Sequence, residues 1–532
     1  MSGNPFAEAA GQALLGRRHA EALHLARLGL SLQPEDEELL EIAALGAEGT
    51  GQEALAADYW RRLLASHPER SDAANQLGLI LENLGHSSAA AALFRQALAR
   101  TPDDAHLHSN LGLSLESQGR LEEALACQEQ ALALAPASAA IRANLANVLT
   151  TLGRWEAAEA HYRQALAADP GHAASHSNLG VLLHDQGRSA EAEQHFRAAL
   201  ALEPASPAYA LNLGQMLLAR GHFAEGWRLH EARLQAPRNL ELLQRHCGPL
   251  ACPRWQGEDL QGKTILVLPE QGLGDEIQFC RYLSWLKTRG PAQLIQMCRP
   301  ELLPLMQGLA GPDLCLPVAP AAGPLPRADY WTVLLSLPLQ AGTTLENIPA
   351  PIPYLAPEPE RQARLAPLVR QAAPSALKVG LVWRGNPGHS NDADRSLDSL
   401  ERLAPLGAIP GLHFFSLQKG EAQGRSIPAL PWTDLAPQLQ DFADTAALLA
   451  ELDLLISVDT STAHLAGALG RPCWLLLPRH KTDWRWLQDR NDSPWYPRTR
   501  LYRQPSRGDW DTPLAALARD LEQLVATHAQ AG

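Results

Sequence analysis

A period of 34 residues constrains this chain more than any other feature. Gly78, Gly112, Gly180 and Gly214 fall on one 34-residue lattice, with Ala146 at the remaining node. Gly51, Gly85, Gly119, Gly153, Gly187 and Gly221 form a second lattice, and Pro34, Pro68, Pro102, Pro136, Pro170 and Pro204 a third. Small residues recur at Ala56, Ala90, Ala124, Ala158 and Ala192, and large ones at Trp60, Phe94, Tyr162 and Phe196. A fixed period of this length means stacked supersecondary units rather than one folded-over core. The pattern predicts helical hairpins in which the second-lattice glycine makes the inter-helix turn. The first-lattice glycine and the alanines let helices approach, and proline starts the link to the next unit.

Seven such blocks run from about Gly3 to Leu240, the first and last degenerate, so residues 1–236 read as an α-solenoid of six to seven units. The period and residue types resemble the tetratricopeptide repeat (TPR). Asn110, Asn144, Asn178 and Asn212 add a fourth lattice, two residues before the glycine node, with Gln76 at the equivalent place one repeat earlier. In the resembled fold this position lies on the helix lining the concave face. An amide donates and accepts at once, so such a ladder can pair with the backbone of an extended peptide. It can equally satisfy backbone groups between neighbouring repeats, and spacing alone does not separate the two. The O-linked N-acetylglucosamine transferases have a similar ladder, and that resemblance implies a protein substrate held in the groove.

With 532 residues, the remainder is long enough for further domains. The net charge of -13 argues against a general nucleic-acid or acidic-membrane surface. Seven scattered cysteines argue for reduced thiols and a cytoplasmic setting rather than a disulfide framework. Cys247 and Cys252 lie close together beside His246, but two further zinc ligands at regular spacing are missing. The N-terminus has no basic start and apolar core, so it does not read as a signal peptide, and no apolar run approaches a membrane span.

Residues 237–262 read as a linker, with Trp255 expected to pack back onto a domain. Beyond it strands and helices alternate. Strands are expected at Thr264–Leu268, Leu294–Met297, Tyr330–Leu335, Lys378–Trp383, His413–Leu417, Leu454–Val458 and Cys473–Leu477. A helix is expected from about Asp275 to Thr288, loops over Gly308–Pro326, and a closing amphipathic helix over Asp511–His528. A proline-rich break at Pro349–Pro374 divides this part into lobes of residues 263–375 and 376–532. Each opens with a strand, a glycine loop and a helix, the arrangement of two Rossmann-like lobes with a ligand between them. A dinucleotide dehydrogenase would need a GxGxxG turn, and none is present.

The most informative stretch is LLISVDTSTAHLAGALGRPCWLLLP, Leu454–Pro478. Asp459 or Thr460 can serve as N-cap, Gly470 as the C′ residue, and Pro472 follows. Hydroxyls and backbone N–H groups therefore cluster at a helix N-terminus, which favours a phosphate or diphosphate.

Four segments resemble the GT-B glycosyltransferases of the heptosyltransferase-like family 9. They are EQGLGDEIQF (270–279), LVWRGNPGHSNDADRS (381–396), SLQKG (416–420) and SVDTSTAHLAGALGRP (457–472). Together with the repeats they resemble bacterial TPR–glycosyltransferase fusions, among them flagellin glycosyltransferases. The resemblance implies an acceptor lobe at 263–375, a nucleotide-sugar donor lobe at 376–532, and inverting transfer without a bound metal or other cofactor. It implies that Asp275 is the catalytic base, with Glu270 and Glu276 as nearby substitutes; the plain reading is a helix cap. Lys419 would neutralise the leaving diphosphate and Gln418 read the base or ribose. Ser461 and Thr462 would hold phosphate, His464 a phosphate oxygen, and Asp459 cap the helix or bind ribose. Thr460 completes the donor turn, and Arg384 and Arg395 border it. Trp484, Trp486 and Trp495 can stack on a sugar or base, or pack the lobes.

The sequence thus points to a cytoplasmic glycosyltransferase taking a nucleotide-sugar donor and a protein acceptor recruited by the repeats. Two alternatives stand beside it: a TPR interaction scaffold with a catalytically degenerate GT-B domain, and a transferase acting on a saccharide or lipid.

Overall fold

The computed structural model describes residues 5–235, 248, 250–318, 325–349, 352–389, 391–428 and 430–531. His246, Cys247 and nearly half of the expected linker lie outside these. Two compact units emerge: residues 1–184 with 190–203, and residues 185–189 with 204–532.

Among the described residues, fourteen helices between Pro5 and His230 pair into seven hairpins. From the second hairpin on, the first helix starts at Glu37, Ser71, Ala105, Ala139, Ala173 and Pro207, 34 residues apart. Several starts are capped, as where Asp36 accepts the Leu39 N–H at 3.0 Å. All six second-lattice glycines sit at φ of +72 to +82°, a left-handed turn that suits glycine. The first-lattice glycines serve close approach. A Cβ on Gly78 would lie 2.4 Å from the buried Phe94 ring, and one on Gly180 2.9 Å from that of Phe196. In the hairpin of Gly112, Gln128 takes the aromatic position and is satisfied by Ser109 through its hydroxyl (3.0 Å) and carbonyl (2.9 Å). The first six hairpins form the first unit apart from the turn 185–189, and the seventh, Pro207–Ala219 with Phe223–His230, belongs to the second.

The second unit holds two parallel sheets. The first comprises β1 (Thr264–Leu268), β2 (Gln293–Cys298), β3 (Leu314–Pro317) and β4 (Tyr330–Val333), in the order β3-β2-β1-β4. The second comprises β5 (Leu377–Val382), β6 (Leu412–Ser416), β7 (Trp432–Asp434), β8 (Leu454–Val458), β9 (Cys473–Leu477) and β10 (Thr499–Arg503), in the order β10-β9-β8-β5-β6-β7. Every pairing is parallel. The order reverses between β1 and β4 and between β5 and β8. In doubly wound sheets ligands bind at such points, outside the carboxyl ends of the strands.

Four details depart from the sequence reading. The helix expected from Asp275 to Thr288 is two helices, Leu273–Phe279 and Tyr282–Lys287. Carbonyls at the break are taken by side chains: Arg281 Nε donates to Gln278 O (3.0 Å) and the Tyr354 hydroxyl to Ile277 O (3.0 Å). The expected loop 308–326 contains β3. The strands β7 and β10 were not anticipated. The proline-rich break contains a helix, Pro359–Ala372, because Pro359 stands in the first turn, where no N–H is needed. That helix is tied to the helix Phe442–Glu451 by Arg361, bonded to Asp441 (2.8 Å) and Asp444 (2.9 Å).

Trp255 is 2% exposed, as expected, and its indole donates to Glu258 O (2.8 Å). Cys127, Cys252, Cys280, Cys298, Cys315 and Cys473 are all free thiols. No helix among the described residues is long and apolar enough to cross a membrane.

Gly78→Ala tests the small-to-large pairing. Its methyl must displace a fully buried ring, so unfolding by denaturant should show a loss of about 1–3 kcal/mol, typical of overpacking.

Candidate active site

A cleft of about 1150 Å³ lies at the carboxyl ends of both sheets. The turns after β1, β5, β6 and β8 all open into it. They bring together Asp275, Arg384, Arg395, Gln418, Lys419, Asp459, Thr460, Ser461, Thr462 and His464, all of them anticipated from sequence.

The floor is the turn after β8. Thr460 is the N-cap of the helix Ser461–Ala468, in extended conformation, but its side chain makes no capping bond. Its hydroxyl instead lies 3.1 Å from that of Ser457. The first-turn N–H groups at Ser461 and Thr462 thus have no side-chain cap where the helix meets the cleft. The helix ends in a Schellman motif. Gly470 has φ +67°, its N–H reaches Gly467 O at 3.1 Å, and Arg471 N–H reaches Ala466 O at 2.8 Å.

His464 lies a turn into this helix. Its Nδ1 is 3.0 Å from the Tyr496 hydroxyl and its ring stacks on Trp486 at 5.1 Å. Burial, helped by Arg485, pushes the imidazole down to about 3, so it is neutral at ordinary pH. Gly274 of the opposite turn packs against it: a Cβ there would lie 2.8 Å from His464 Cδ2.

Arg485 links the two sides. Its guanidinium is almost fully buried and bonds Asp483 with two contacts of 3.0 Å through one nitrogen. It also pairs with Asp275, and it lies over the Trp484 ring at 4.2 Å. Asp275 accepts the Gly272 N–H through its other oxygen at 2.6 Å. The plain capping role is therefore met in reciprocal form: Gly272 is the N-cap, and Asp275 reaches back to it from the first turn. Burial raises the Asp275 carboxyl, with Arg485 acting against it. For Asp483 burial also pushes upward, but Arg485 outweighs it and holds the group below the usual range. Asp459 lies 3.9 Å from His464 Nε2. Burial and then the Asp483 charge lift it to about 7.

The two substitute carboxylates are committed elsewhere. Glu270 is bonded by Arg233 through both oxygens (2.7 and 2.9 Å). Glu276 is fully buried against Arg299 (2.9 Å), and burial pushes it up to about 7.

Gln418 lines the cleft, but its amide is saturated by main chain. Its oxygen accepts from Trp383 N (3.1 Å) and Arg384 N (3.0 Å), and its nitrogen donates to Arg384 O (3.1 Å) and Lys419 O (2.9 Å). It locks the turns after β5 and β6 together and has no group left to read a base. Lys419 Nζ donates to Leu439 O (2.8 Å) and Ala436 O (3.4 Å) at the cleft wall. The Arg395 Nε is buried without a hydrogen-bond partner, 3.6 Å from Asp392. Trp484, Trp486 and Trp495 are at most 7% exposed and do not line the cleft. Trp484 and Trp495 pack edge-on against Trp227, at 5.3 and 6.4 Å.

Asp483 and Arg485 are the site residues that sequence reasoning missed. They stand in HKTDWRWLQDR, read there for its aromatics. The acid–aromatic–base triplet carried the signal.

In the repeats, Asn110 Nδ2 donates to Asn75 Oδ1 (2.6 Å), Asn144 Nδ2 to Ser109 Oγ (3.0 Å) and Asn178 Nδ2 to Asn147 Oδ1 (2.8 Å). These three asparagines each tie their repeat to its predecessor with one amide hydrogen. Asn212 is likewise half-buried.

The chain matches the tetratricopeptide repeat family over residues 43–105, 143–207, 178–226 and 103–171. It matches glycosyltransferase family 9 (heptosyltransferase) over residues 416–477, the span from β6 to β9 that carries Lys419 and the Asp459–His464 turn. The chain thus carries tetratricopeptide repeats followed by a segment that matches the family 9 glycosyltransferase domain. It is 27% identical over 328 residues to Protein FlbA of Caulobacter vibrioides, covering 57% of this chain and 53% of that protein's length. Among solved structures it resembles PilW, a type IV pilus biogenesis factor (23% identity, TM-score 0.34, 38% of this chain, 93% of that one). It also resembles a thermophilic TPR protein of Thermus thermophilus (24% identity, TM-score 0.32, 34% of this chain, all of that one).

Arg485→Met should destabilise the protein by about 3–5 kcal/mol, because it strands two carboxylates beside a buried apolar side chain. Adding Asp275→Asn should recover part of the loss in the same denaturation assay.

Proposed function

We propose that this protein moves a sugar from a nucleotide-sugar donor to a hydroxyl of a protein acceptor, with inversion, as a GT-B enzyme. The family 9 match supports transfer of a glycosyl group. The observation that carries the donor assignment is the convergence of Arg384, Arg395, Lys419 and the uncapped helix start at Ser461 on one cleft. Three cations and a set of open N–H groups suit a diphosphate. Lys419 and the Ser461–Thr462 amides would take the charge that grows on the leaving phosphate, the role a metal plays in other transferases. We therefore assign metal-independent transfer without a further cofactor. Asp275 and Asp459 supply carboxylates from the two sides of the cleft.

The repeats would present the acceptor on their concave face, and a flagellin-like protein is one such acceptor. Each of Asn110, Asn144 and Asn178 uses one amide hydrogen between repeats, which leaves the other hydrogen and the oxygen for a peptide backbone. The same bonds favour a second reading, in which the ladder only stiffens the solenoid and the acceptor is a saccharide or lipid.

A thermal-shift screen with nucleotides and nucleotide sugars tests the donor site. A ligand at 100 times its Kd should stabilise wild type by about 2.7 kcal/mol. Arg384→Ala with Lys419→Ala should abolish that shift; equal shifts in variant and wild type would refute the assignment. Replacing Asn110, Asn144 and Asn178 together by Ala should leave donor hydrolysis unchanged and lower transfer to a protein acceptor at least tenfold. Unchanged transfer would favour the second reading.

A further inference from the structure

A loop between β9 and β10, Arg479 to Asp489, sends Lys481, Asp483 and Arg485 into the cleft. Lys481, Leu487 and Asp489 stand at φ of +54 to +56°. Residues with side chains rarely adopt that conformation, and it persists where surrounding contacts over-determine it. Much of that support comes from the turn of the sixth hairpin, residues 185–189, which belongs to the same unit as the two sheets. At the start of the loop, Asp185 accepts the Lys481 backbone N–H and lies 3.3 Å from Nδ1 of the buried His480. The Gln186 carbonyl accepts from the Arg479 guanidinium at 3.2 Å, and Gly187 leaves no room for a side chain beside that group. At the far end, the Ser189 hydroxyl donates to Gln488 Oε1 at 2.7 Å. The Gln488 N–H donates to Ala219 O, in the seventh hairpin, at 2.9 Å. Both ends of the loop are pinned, and the span between them carries Asp483 and Arg485.

The repeat itself does not call for an acid at this turn. The equivalent place, two residues before the second-lattice glycine, holds Gly49, Asn83, Ser117, Thr151 and Ala219 in the five other hairpins on that lattice. The Asp185 side chain is only 11% exposed, and burying a carboxylate is unfavourable unless partners are supplied. Here the loop supplies them. Resting on the glycosyl-transfer reading above, we propose that Asp185 is a positioning residue for sugar transfer. By holding the main chain at Lys481 and the His480 ring, it fixes the loop that aims Arg485 at Asp275. Asp185 acts through the loop and does not itself line the cleft. The sixth repeat thereby forms part of the framework of the transfer site, besides the acceptor role proposed for the array.

The experiment compares the full-length chain with Asp185→Ala, Asp185→Asn and, at the same place one repeat earlier, Thr151→Ala. Asparagine still offers an oxygen to the Lys481 N–H and an N–H to His480 Nδ1, whereas alanine offers neither. Amide hydrogen exchange is followed without ligand. Thermal shifts with uridine, guanosine and cytidine diphosphates come next, then hydrolysis of the corresponding nucleotide sugars. In Asp185→Ala, exchange should quicken about tenfold or more over residues 480–488 and stay as in wild type in β5 and β8. The diphosphate shift should be kept, because Lys419, Ser461 and Thr462 lie outside the loop, and turnover should fall about tenfold or more. Asp185→Asn and Thr151→Ala should behave as wild type. The proposal is overturned by unchanged loop exchange or unchanged turnover in Asp185→Ala. It is equally overturned by a turnover loss shared in full by Asp185→Asn, or by faster exchange throughout both sheets. If Asp185→Ala does not fold, Ser189→Ala, which releases Gln488 alone, decides by the same exchange and turnover. If wild type turns over no nucleotide sugar, the transfer reading falls and the positioning role with it, whereas the ligand-free exchange still decides whether Asp185 holds the loop.

Discussion

One guanidinium organises the two-sheet part of this protein. Arg485 lies after β9, yet it bonds a carboxylate that follows β1, 210 residues earlier in the chain. Taking an arginine out of water is unfavourable unless every lost hydration contact is replaced. Here Asp275, Asp483 and the Trp484 face replace most of them, while Nε is buried without a hydrogen-bond partner. The consequences spread from that point. Asp275 is fixed against its own helix start, Asp483 is kept ionised, and its charge adds to the burial that lifts Asp459. Gly274 can then approach His464, so the two switch points face one space. The chemistry assigned to the cleft depends on this chain of charges more than on any single motif.

The solenoid rests on a different constraint, steric rather than electrostatic. Glycine on one helix receives an aromatic ring from the next, as Gly78 does Phe94 and Gly180 does Phe196. Where the ring is replaced by Gln128, a buried polar group enters, and Ser109 satisfies it. The asparagine ladder adds a directional tie between repeats.

Features that repeat or alternate could be read from sequence. The hairpin starts lie on the 34-residue lattice, and β1, β8 and β9 run between the residues where their apolar runs begin and end. The turn at Asp459–His464 was legible because strand, cap and C′ glycine are local signals. Elements set by tertiary packing were not legible. The three-residue β7 has too few residues for a pattern. The helix Pro359–Ala372 is hidden by prolines that mark breaks in most contexts. The tryptophans Trp484, Trp486 and Trp495 suggest a sugar platform, but they are core residues packed around Trp227, Phe279 and His464. Gln418 stands at a strand end where a ligand-reading amide is expected. Its saturation by four main-chain bonds is visible only in three dimensions. The Asp275–Arg485 pair joins residues too far apart in sequence for spacing to reveal.

The central claim is that the turn after β8 cradles the phosphates of a nucleotide sugar. Amide hydrogen exchange on the full-length protein, with and without saturating uridine, guanosine or cytidine diphosphate in turn, tests it most directly. The account predicts slowed exchange at Ser461 and Thr462 and around Lys419 and Gly420 with at least one nucleotide, while the repeats stay unchanged. Protection confined to other surfaces, with these amides exchanging as in the free protein, would contradict it.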